Sequence, residues 1–378
     1  MGFDKKIASS IAVSFALIVG GCASRPNNVF IESQQSPLLK TSKIDMIVAT
    51  TRLPSPVSGQ MFGGDRGDPS FAQIEISIPP GHKTGQIEWP KHIPADPSRS
   101  FAVIKADVLD QKNIESELHS RLTDGPSRNV LVFVHGFNNR FDDAVFRFAQ
   151  IVHDSGASDV PVLFTWPSAG ELLAYGYDRD SSTYSRDALE RTLDYLVADR
   201  SVGEISILAH SMGNWVTLEA LRQMAIRNSA ISPKIKNVML ADADVDIDVF
   251  RTQLNAMGEK RPSLTVFIAD DDKALAVSKV LWGSKARLGD FNPNNGAYDK
   301  FMKQNRIDVV NMTDIRTKGW IDHGIYADSP RIIQQIGQQL ATGQPITDGR
   351  VSPIESLSLT AIGAVGHFNQ AIDTLKPD

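Results

Sequence analysis

The segment Glu204–Gly213, which reads EISILAHSMG, is the most informative stretch of the chain. Its first half is an apolar, β-branched run typical of a buried strand, and a helical pattern begins at Asn214. Small residues surround Ser211 between the two. A serine on such a sharp strand-to-helix turn exposes its hydroxyl at the edge of a sheet, an arrangement known as the nucleophile elbow and written G-x-S-x-G. Ala209 stands in place of the first glycine, and because alanine is also small, the pattern still predicts Ser211 as a nucleophile.

Strand-like and helix-like patterns alternate along the chain on both sides of this segment. The continuous apolar runs Asn129–Val134 and Val160–Trp166 are typical of strands buried on both faces of a parallel sheet. A helical pattern, Phe141–Val152, lies between them, and the alternation continues to a last helix at Ser329–Leu340. This order predicts a mostly parallel central sheet with helices on both faces, and ligands at the carboxyl ends of the strands.

A loop that follows the first of these strands has the features of an oxyanion hole. Acyl transfer through a serine needs two backbone N–H groups aimed at the developing negative charge. We expect Met212, next to the nucleophile, to supply one, and Phe137 to supply the other, since Gly136 lets the backbone approach closely. His135 precedes Ser211 in the chain, and we expect it to brace this loop rather than act as a base.

The remaining catalytic groups should follow later strands. Enzymes with a nucleophile elbow carry the triad in the chain order Ser, then Asp or Glu, then His. Only two histidines lie beyond Ser211. His323 lies in a loop before the last helix, whereas no strand is predicted to position His367. Candidate acids follow two later strands in two groups, Asp242, Asp244 and Asp246 in the first and Asp270, Asp271 and Asp272 in the second.

The N-terminus has the pattern of a secretory signal that resembles the lipobox of bacterial lipoproteins. Two lysines precede the uncharged run Ile7–Gly21, which is shorter than a typical transmembrane helix. Cys22, the only cysteine, follows small residues at the expected cleavage site. We expect it to be lipidated, by palmitate among other acyl groups, and to anchor the chain to a membrane of the bacterial cell envelope, facing the periplasm. A buried thiol or an uncleaved anchor is the alternative.

Composition and motifs exclude several classes of function. The net charge of −5 and the scattered Lys and Arg residues offer no basic stripe for a nucleic-acid backbone, so we expect no nucleic-acid partner. A P-loop, a G-x-G-x-x-G after a strand and a His/Cys spacing for zinc are all absent from the sequence. We therefore expect no cofactor and no metal.

Together these residues resemble a known family. The segments NVLVFVHGFNN, FTWPSAG, ILAHSMG, LADADVD, DDDKAL and DHGIY are similar to those of a bacterial group of α/β-hydrolases of poorly defined function, the esterase/lipase superfamily or domain of unknown function 900. The resemblance implies Asp272 as the acid and His323 as the base, although Asp322 stands where the family more often has glycine. Asp244 is the alternative acid, with Ala243 in place of the family's usual proline.

The resemblance implies an α/β-hydrolase fold and a serine hydrolase that cleaves carboxylic esters through an acyl-enzyme in the cell envelope. Its substrate would be an ester-containing small molecule or lipid. The alternative is a catalytically idle envelope lipoprotein that uses the fold for binding. The expected organisation is a signal peptide (residues 1–21), a lipidated cysteine and tether (22–40), an α/β-hydrolase domain (41–342) and a C-terminal tail (343–378).

Overall fold

A single sheet of nine strands organises the part of the chain that the computed structural model describes, namely residues 26–34, 41–268, 287–290 and 296–311. Apart from Pro26, these residues belong to one compact unit, Asn27–Asp348. The strands are β1 Ser42–Pro54, β2 Phe62–Ile78, β3 Ala102–Leu109, β4 Val130–Val134, β5 Val160–Thr165, β6 Ile205–His210, β7 Ile235–Ala241, β8 Ser263–Ile268 and β9 Ile307–Asn311.

Helices connect these strands. Their bounds are α1 Gln111–Asp124, α2 Phe141–Ser155, α3 Tyr175–Ala198, α4 Met212–Asn228, α5 Ile247–Met257 and α6 Gly296–Gln304, with short 3₁₀ turns at Leu172–Ala174 and Leu288–Asp290. The predicted last helix, Ser329–Leu340, lies outside the described residues. None of the described helices is both long and apolar enough to cross a membrane.

The strand order confirms the predicted fold class. The sheet runs β3-β2-β1-β5-β4-β6-β7-β8-β9. In the part of the sheet that runs β1-β5-β4-β6-β7-β8-β9, every neighbouring pair is parallel. At the other edge, β2 runs antiparallel to both β1 and β3. The parallel strands therefore end at a common edge, which is where ligands bind in sheets of this kind.

Both faces of the sheet are covered by apolar side chains. Successive residues of a strand point to opposite faces, so Val132 joins one core cluster and Phe133 the other. Helices α1, α3, α4 and α5 contribute to the first cluster, and α2 contributes Phe146 and Phe148 to the second. This two-sided burial explains why the β4 sequence is continuously apolar instead of alternating.

Helix α1 was not predicted from the sequence. Its N-cap Asp110 accepts a hydrogen bond from the Asn113 N–H at 2.8 Å, as capping aspartates do. Three apolar residues four positions apart face the core, namely Ile114, Leu118 and Leu122. The other side chains of the helix are almost all polar, so the apolar stripe is narrow and the periodic signal is weak.

Part of the predicted tether packs against the sheet. Val29 is buried, the ring of Phe30 lies 5.2 Å from that of Phe141, and the Ser33 N–H donates to the Val103 carbonyl at 2.9 Å. The apolar pair at 29–30 accounts for this packing, which the prediction of a tether over residues 22–40 did not include. Residues 1–25 and 35–40 lie outside the described residues, so the signal peptide and the lipidation of Cys22 stay predictions.

Candidate active site

Ser211 lies on the strand-to-helix turn that its sequence predicts, between the end of β6 and the start of α4. Its backbone has φ 49° and ψ −122°, a strained conformation for a residue that is not glycine. Two hydrogen bonds hold the turn, from the Ser211 N–H to the Ala241 carbonyl at 3.0 Å and from the Asn214 N–H to the Ser211 carbonyl at 3.1 Å. The side chain is thus presented at the carboxyl edge of the sheet.

Glycines on both sides of this turn allow the close packing around it. A Cβ atom at Gly213 would lie 2.4 Å from the His135 carbonyl oxygen, so α4 can start here only without a side chain. A Cβ atom at Gly136 would lie 2.9 Å from the Ser211 Cβ and 2.7 Å from the His210 Nδ1. The loop predicted as the oxyanion hole therefore passes directly against Ser211. Phe137 follows Gly136 in this loop, and Met212 follows Ser211 in the elbow.

His135 braces that loop from beneath. Its buried ring stacks on Trp166 with centroids 4.9 Å apart, and its Nε2 lies 3.2 Å from the Trp166 N–H, from which it accepts a hydrogen bond. This assigns the proton to Nδ1, which donates to the Gly136 carbonyl at 2.8 Å. Burial, together with the nearby Arg52 guanidinium, holds the pKa of His135 well below its usual value. The ring is neutral and serves as a structural support.

Two buried charged groups fix the far side of the same loop. Arg52 is fully buried and donates to the Asn139 carbonyl at 2.7 Å and to the Ser168 carbonyl at 3.0 Å. Burial lowers its pKa to about 10, an effect that the charge of Asp178 opposes. A positive and a negative group therefore flank residues 138–139 and limit how far the loop can move.

Asp178, at the start of α3, is the negative member of that pair. Its carboxylate accepts hydrogen bonds from the Ser168 hydroxyl at 2.5 Å, the Ala169 N–H at 2.8 Å and the Asn138 N–H at 3.2 Å. Burial raises the pKa of Asp178 despite these donors. The sequence indicated no role for Asp178 and gave no signal for Arg52.

Asp244 lies beside the elbow and is already held by other side chains. Its N–H donates to the Ser211 carbonyl at 3.4 Å, and its carboxylate is almost completely buried. The Tyr175 hydroxyl donates to one carboxylate oxygen in a short hydrogen bond, and the Arg287 Nε lies 3.5 Å from the other. The geometry brings this candidate acid next to Ser211, with both of its oxygens partnered.

The other carboxylates of the first group have separate roles. Asp246 caps α5 by accepting from the Asp248 and Val249 N–H groups at 2.9 and 3.3 Å. Asp242 has a positive φ of 46°, and its carboxylate lies 3.5 Å from the Nε2 of His210, a buried residue at the end of β6. Asp246 thus serves as a helix cap, and Asp242 is a partner of His210.

The predicted acid Asp272 and base His323 lie outside the described residues, as does Asp322. The strands that precede them are described. Strand β8 ends at Ile268 and β9 at Asn311, and both run parallel to β6 and β7. The chain therefore leaves both strands at the edge that carries Ser211.

A comparison with protein families identifies the family of the chain. The family described as "Alpha/beta hydrolase of unknown function (DUF900)" matches residues 110–341, which is more than half of the chain. The chain belongs to the DUF900 family. The match includes Ser211, the loop around Phe137 and the positions of both Asp272 and His323, so the resemblance inferred from the motifs is confirmed at the level of the family.

Individual relatives add little to this assignment. The uncharacterized protein alr1448 of Nostoc sp. is 32% identical over 77 residues, and the match spans only 20% of its length and 20% of the present chain. Among solved structures, a lipase-esterase related protein from Clostridium acetobutylicum aligns at 11% identity and TM-score 0.28, over 57% of this chain and 93% of its own.

Two fungal structures align over nearly the whole chain. Carboxyl esterase 2 of Tuber melanosporum has 12% identity and TM-score 0.29, with 97% of this chain and 98% of that one covered. An esterase of Rhizomucor miehei has 10% identity and TM-score 0.32, with 98% and 94% covered. Scores this low say nothing about activity, and the fold assignment rests on the sheet order and the family match.

Proposed function

We propose that the chain is a serine hydrolase that cleaves carboxylic esters through an acyl-enzyme. The observation that carries the proposal is the strained backbone of Ser211, with φ 49°, in close contact with the loop that contains Gly136 and Phe137. Strain of this kind is retained where it has a use, and here it presents a hydroxyl beside two backbone segments suited to hold an oxyanion. The DUF900 match supports hydrolase chemistry in general.

In the proposed reaction, His323 removes the proton from the Ser211 hydroxyl as its oxygen attacks the ester carbonyl. The N–H groups of Phe137 and Met212 stabilise the resulting oxyanion. The tetrahedral intermediate expels the alcohol, which takes the proton from His323, and leaves the acyl group on Ser211. Water, activated by the same histidine, then releases the carboxylic acid.

We propose Asp272 as the acid that orients His323. Its rival, Asp244, already accepts a short hydrogen bond from Tyr175 on one oxygen and has the Arg287 Nε 3.5 Å from the other, so it is less available to orient a histidine. Asp272 follows the end of β8 by four residues, and β8 lies between β7 and β9 in the sheet. This position suits a group that must reach a histidine beyond β9.

Hydrolysis of short p-nitrophenyl esters by purified variants tests the chemistry. Ser211→Ala should lower turnover by about 10⁶-fold, to background, since removal of a triad nucleophile has this cost. Asp272→Asn should lower it by about 10⁴-fold, because the histidine then adopts the wrong tautomer. Asp244→Asn serves as the matched control and should retain activity within about tenfold. Full activity of Ser211→Ala would refute the nucleophile, and reversed behaviour of the two Asp variants would transfer the acid to Asp244.

We also propose that the chain is a lipoprotein anchored through Cys22 in the cell envelope, where it would meet ester-containing small molecules or lipids. The support is the N-terminal sequence pattern. Labelling of cells with radioactive palmitate should mark the wild-type protein, and Cys22→Ser should lose both the label and the membrane association. Equal labelling of the two proteins would contradict the anchor.

A further inference from the structure

A second cluster of reactive side chains lies at the far end of α2 from the elbow. Residues 79–101, which connect β2 to β3, contribute His82 and Glu88, and the last turn of α2 contributes His153 and Asp154. Helix α2 begins directly after the oxyanion loop, and His153 lies twelve residues further on, so the two regions are about 18 Å apart along the helix axis. The cluster is therefore separate from the chemistry at Ser211.

The cluster brings three potential metal ligands together. One ligand atom from each of His82, His153 and Asp154 lies within 4.8 Å of the other two. The two imidazole rings pack edge to face with centroids 5.1 Å apart, and the His82 Nε2 lies 2.8 Å from an Asp154 carboxylate oxygen. The side chains of His82 and Asp154 are only 6% and 2% exposed, so an ion held between them would be largely shielded from water.

The surroundings of these ligands match the outer shell of a metal centre. The other ring nitrogen of His82, Nδ1, lies 2.7 Å from a Glu88 oxygen. A histidine that binds a metal usually donates its second N–H to a carboxylate in this way. The second oxygen of Asp154 accepts hydrogen bonds from the Gly85 N–H and the Gln150 side chain, both at 2.6 Å, which leaves the first oxygen directed at His82.

We propose that His82, His153 and Asp154 form a binding site for a divalent transition-metal ion, Zn²⁺ above all, with Glu88 as the outer-shell partner of His82. Two imidazoles and a carboxylate are ligands that zinc accepts, and three protein ligands leave the fourth tetrahedral position to water. Binding of the ion releases to solvent the proton that lies between the His82 Nε2 and Asp154, so that both atoms can coordinate the ion. Ligand atoms around tetrahedral zinc are about 3.4 Å apart, so side-chain shifts of about 1 Å suffice.

The site would fasten the long β2–β3 connection to α2. Both carry residues of the second core cluster, among them Phe101 and Phe146. The sequence did not reveal the site, because its ligands are 71 residues apart and match no short metal motif. The inference departs from the expectation of no metal, and it does not depend on the proposed esterase activity.

Calorimetric titration of the purified full chain with zinc chloride, after removal of metals by chelator, tests the site. We expect one Zn²⁺ to bind per chain and to raise Tm. Glu88→Ala should weaken binding about 10- to 100-fold, the usual cost of losing an outer-shell partner, and His153→Ala should weaken it further. His119→Ala is the matched control, since this histidine on α1 is exposed, its ring lies against the Ser201 hydroxyl at 2.8 Å, and the variant should bind zinc like the wild type.

Three results would overturn the proposal. They are the absence of zinc binding by the wild type, binding by His153→Ala with unchanged affinity, and binding that His119→Ala weakens as much as His153→Ala does. Circular dichroism of each metal-free variant shows whether it is folded. Substitution with Co²⁺ gives a second readout, because its visible absorption reports coordination and should change in His153→Ala. A merely structural role of His153 would leave the Co²⁺ spectrum of the variant unchanged.

Discussion

Replacing Gly213 by alanine should damage both the stability and the activity of the protein. The added Cβ would lie 2.4 Å from the His135 carbonyl oxygen and 2.5 Å from that of Val134. An ordinary contact needs about 3.4 Å, so the start of α4 and the end of β4 must separate by about 1 Å. Both obstacles are backbone atoms of a buried strand end, which cannot rotate away as a flexible side chain can.

Two opposing effects set the change in the free energy of unfolding. Overpacking of a well-packed interior costs about 1–3 kcal/mol, whereas replacing glycine by alanine at a compatible position contributes only about 0.4–1 kcal/mol of stability. The free energy of unfolding should therefore fall by about 1–2 kcal/mol. The separated strand end carries the loop that we propose as the oxyanion hole, and because a misplacement of about 1 Å in a catalytic site can cost about 100-fold, ester hydrolysis should fall by that order.

Urea unfolding followed by circular dichroism, together with hydrolysis of p-nitrophenyl acetate, measures both effects. Gly81→Ala is the matched control, because a Cβ atom there meets no other atom within 4 Å, and it should behave like the wild type. A Gly213→Ala variant as stable and as active as the wild type would refute the packing argument. Loss of stability with full activity would show that the position of the loop relative to Ser211 does not limit the reaction.

Two further predictions concern the supports of that loop. The pKa of His135 is depressed in the folded state, so below about pH 6.5 the unfolded chain binds a proton that the folded chain does not, and stability from this residue is lost at up to about 1.4 kcal/mol per pH unit as pH falls. Urea titrations at several pH values should show a shallower dependence for His135→Gln, and equal slopes would contradict the assignment. Asp178→Asn should lower the free energy of unfolding by about 2 kcal/mol, because one of the three donors around its carboxylate then faces an amide NH₂. The exposed Asp180→Asn is its control in the same urea titration, and equal stability of the two variants would show that the buried hydrogen bonds contribute little.

The sequence was most informative where the structure is determined locally. The apolar run of β4 is buried on both faces, and its pattern alone predicted the strand to within one residue at its start. The small residues around Ser211 predicted the turn, because the close approach of Gly213 to the His135 carbonyl tolerates nothing larger. Such short-range steric demands leave a trace in the sequence itself.

Features that depend on distant partners left no such trace. The apolar spacing predicts a helix over Thr183–Ala198, whereas helix α3 begins at Tyr175, eight residues earlier. The polar first half looks solvent-exposed in the sequence, yet Ser181 and Ser185 are buried. Ser181 accepts a hydrogen bond from Arg66 of β2, and Ser185 forms one with Thr51 of β1. Because these contacts are tertiary, no periodicity within the helix reports them.

The candidate site shows the same difference between features set by neighbouring residues and features set by distant ones. The elbow and the oxyanion loop follow from residues adjacent in sequence, whereas the contact of Asp244 with Arg287 joins positions 43 residues apart. The burial of Arg52 against the loop depends on carbonyl groups of residues 139 and 168, and a lone arginine at the end of a strand carries no sign of it. Sequence reasoning therefore named candidate groups that align with a motif and missed the hydrogen-bond network around the elbow and its neighbouring loop.

Labelling with a fluorophosphonate would show whether Ser211 is the activated nucleophile that we propose. Such probes react rapidly with a serine whose hydroxyl is deprotonated by a neighbouring base, and they ignore an ordinary serine. We expect fast labelling of the wild type, with the adduct on Ser211 by peptide mass spectrometry, and none in Ser211→Ala. A folded wild-type protein that stays unlabelled, or labelling that survives in Ser211→Ala, would contradict the claim and favour a hydrolase fold used for binding alone.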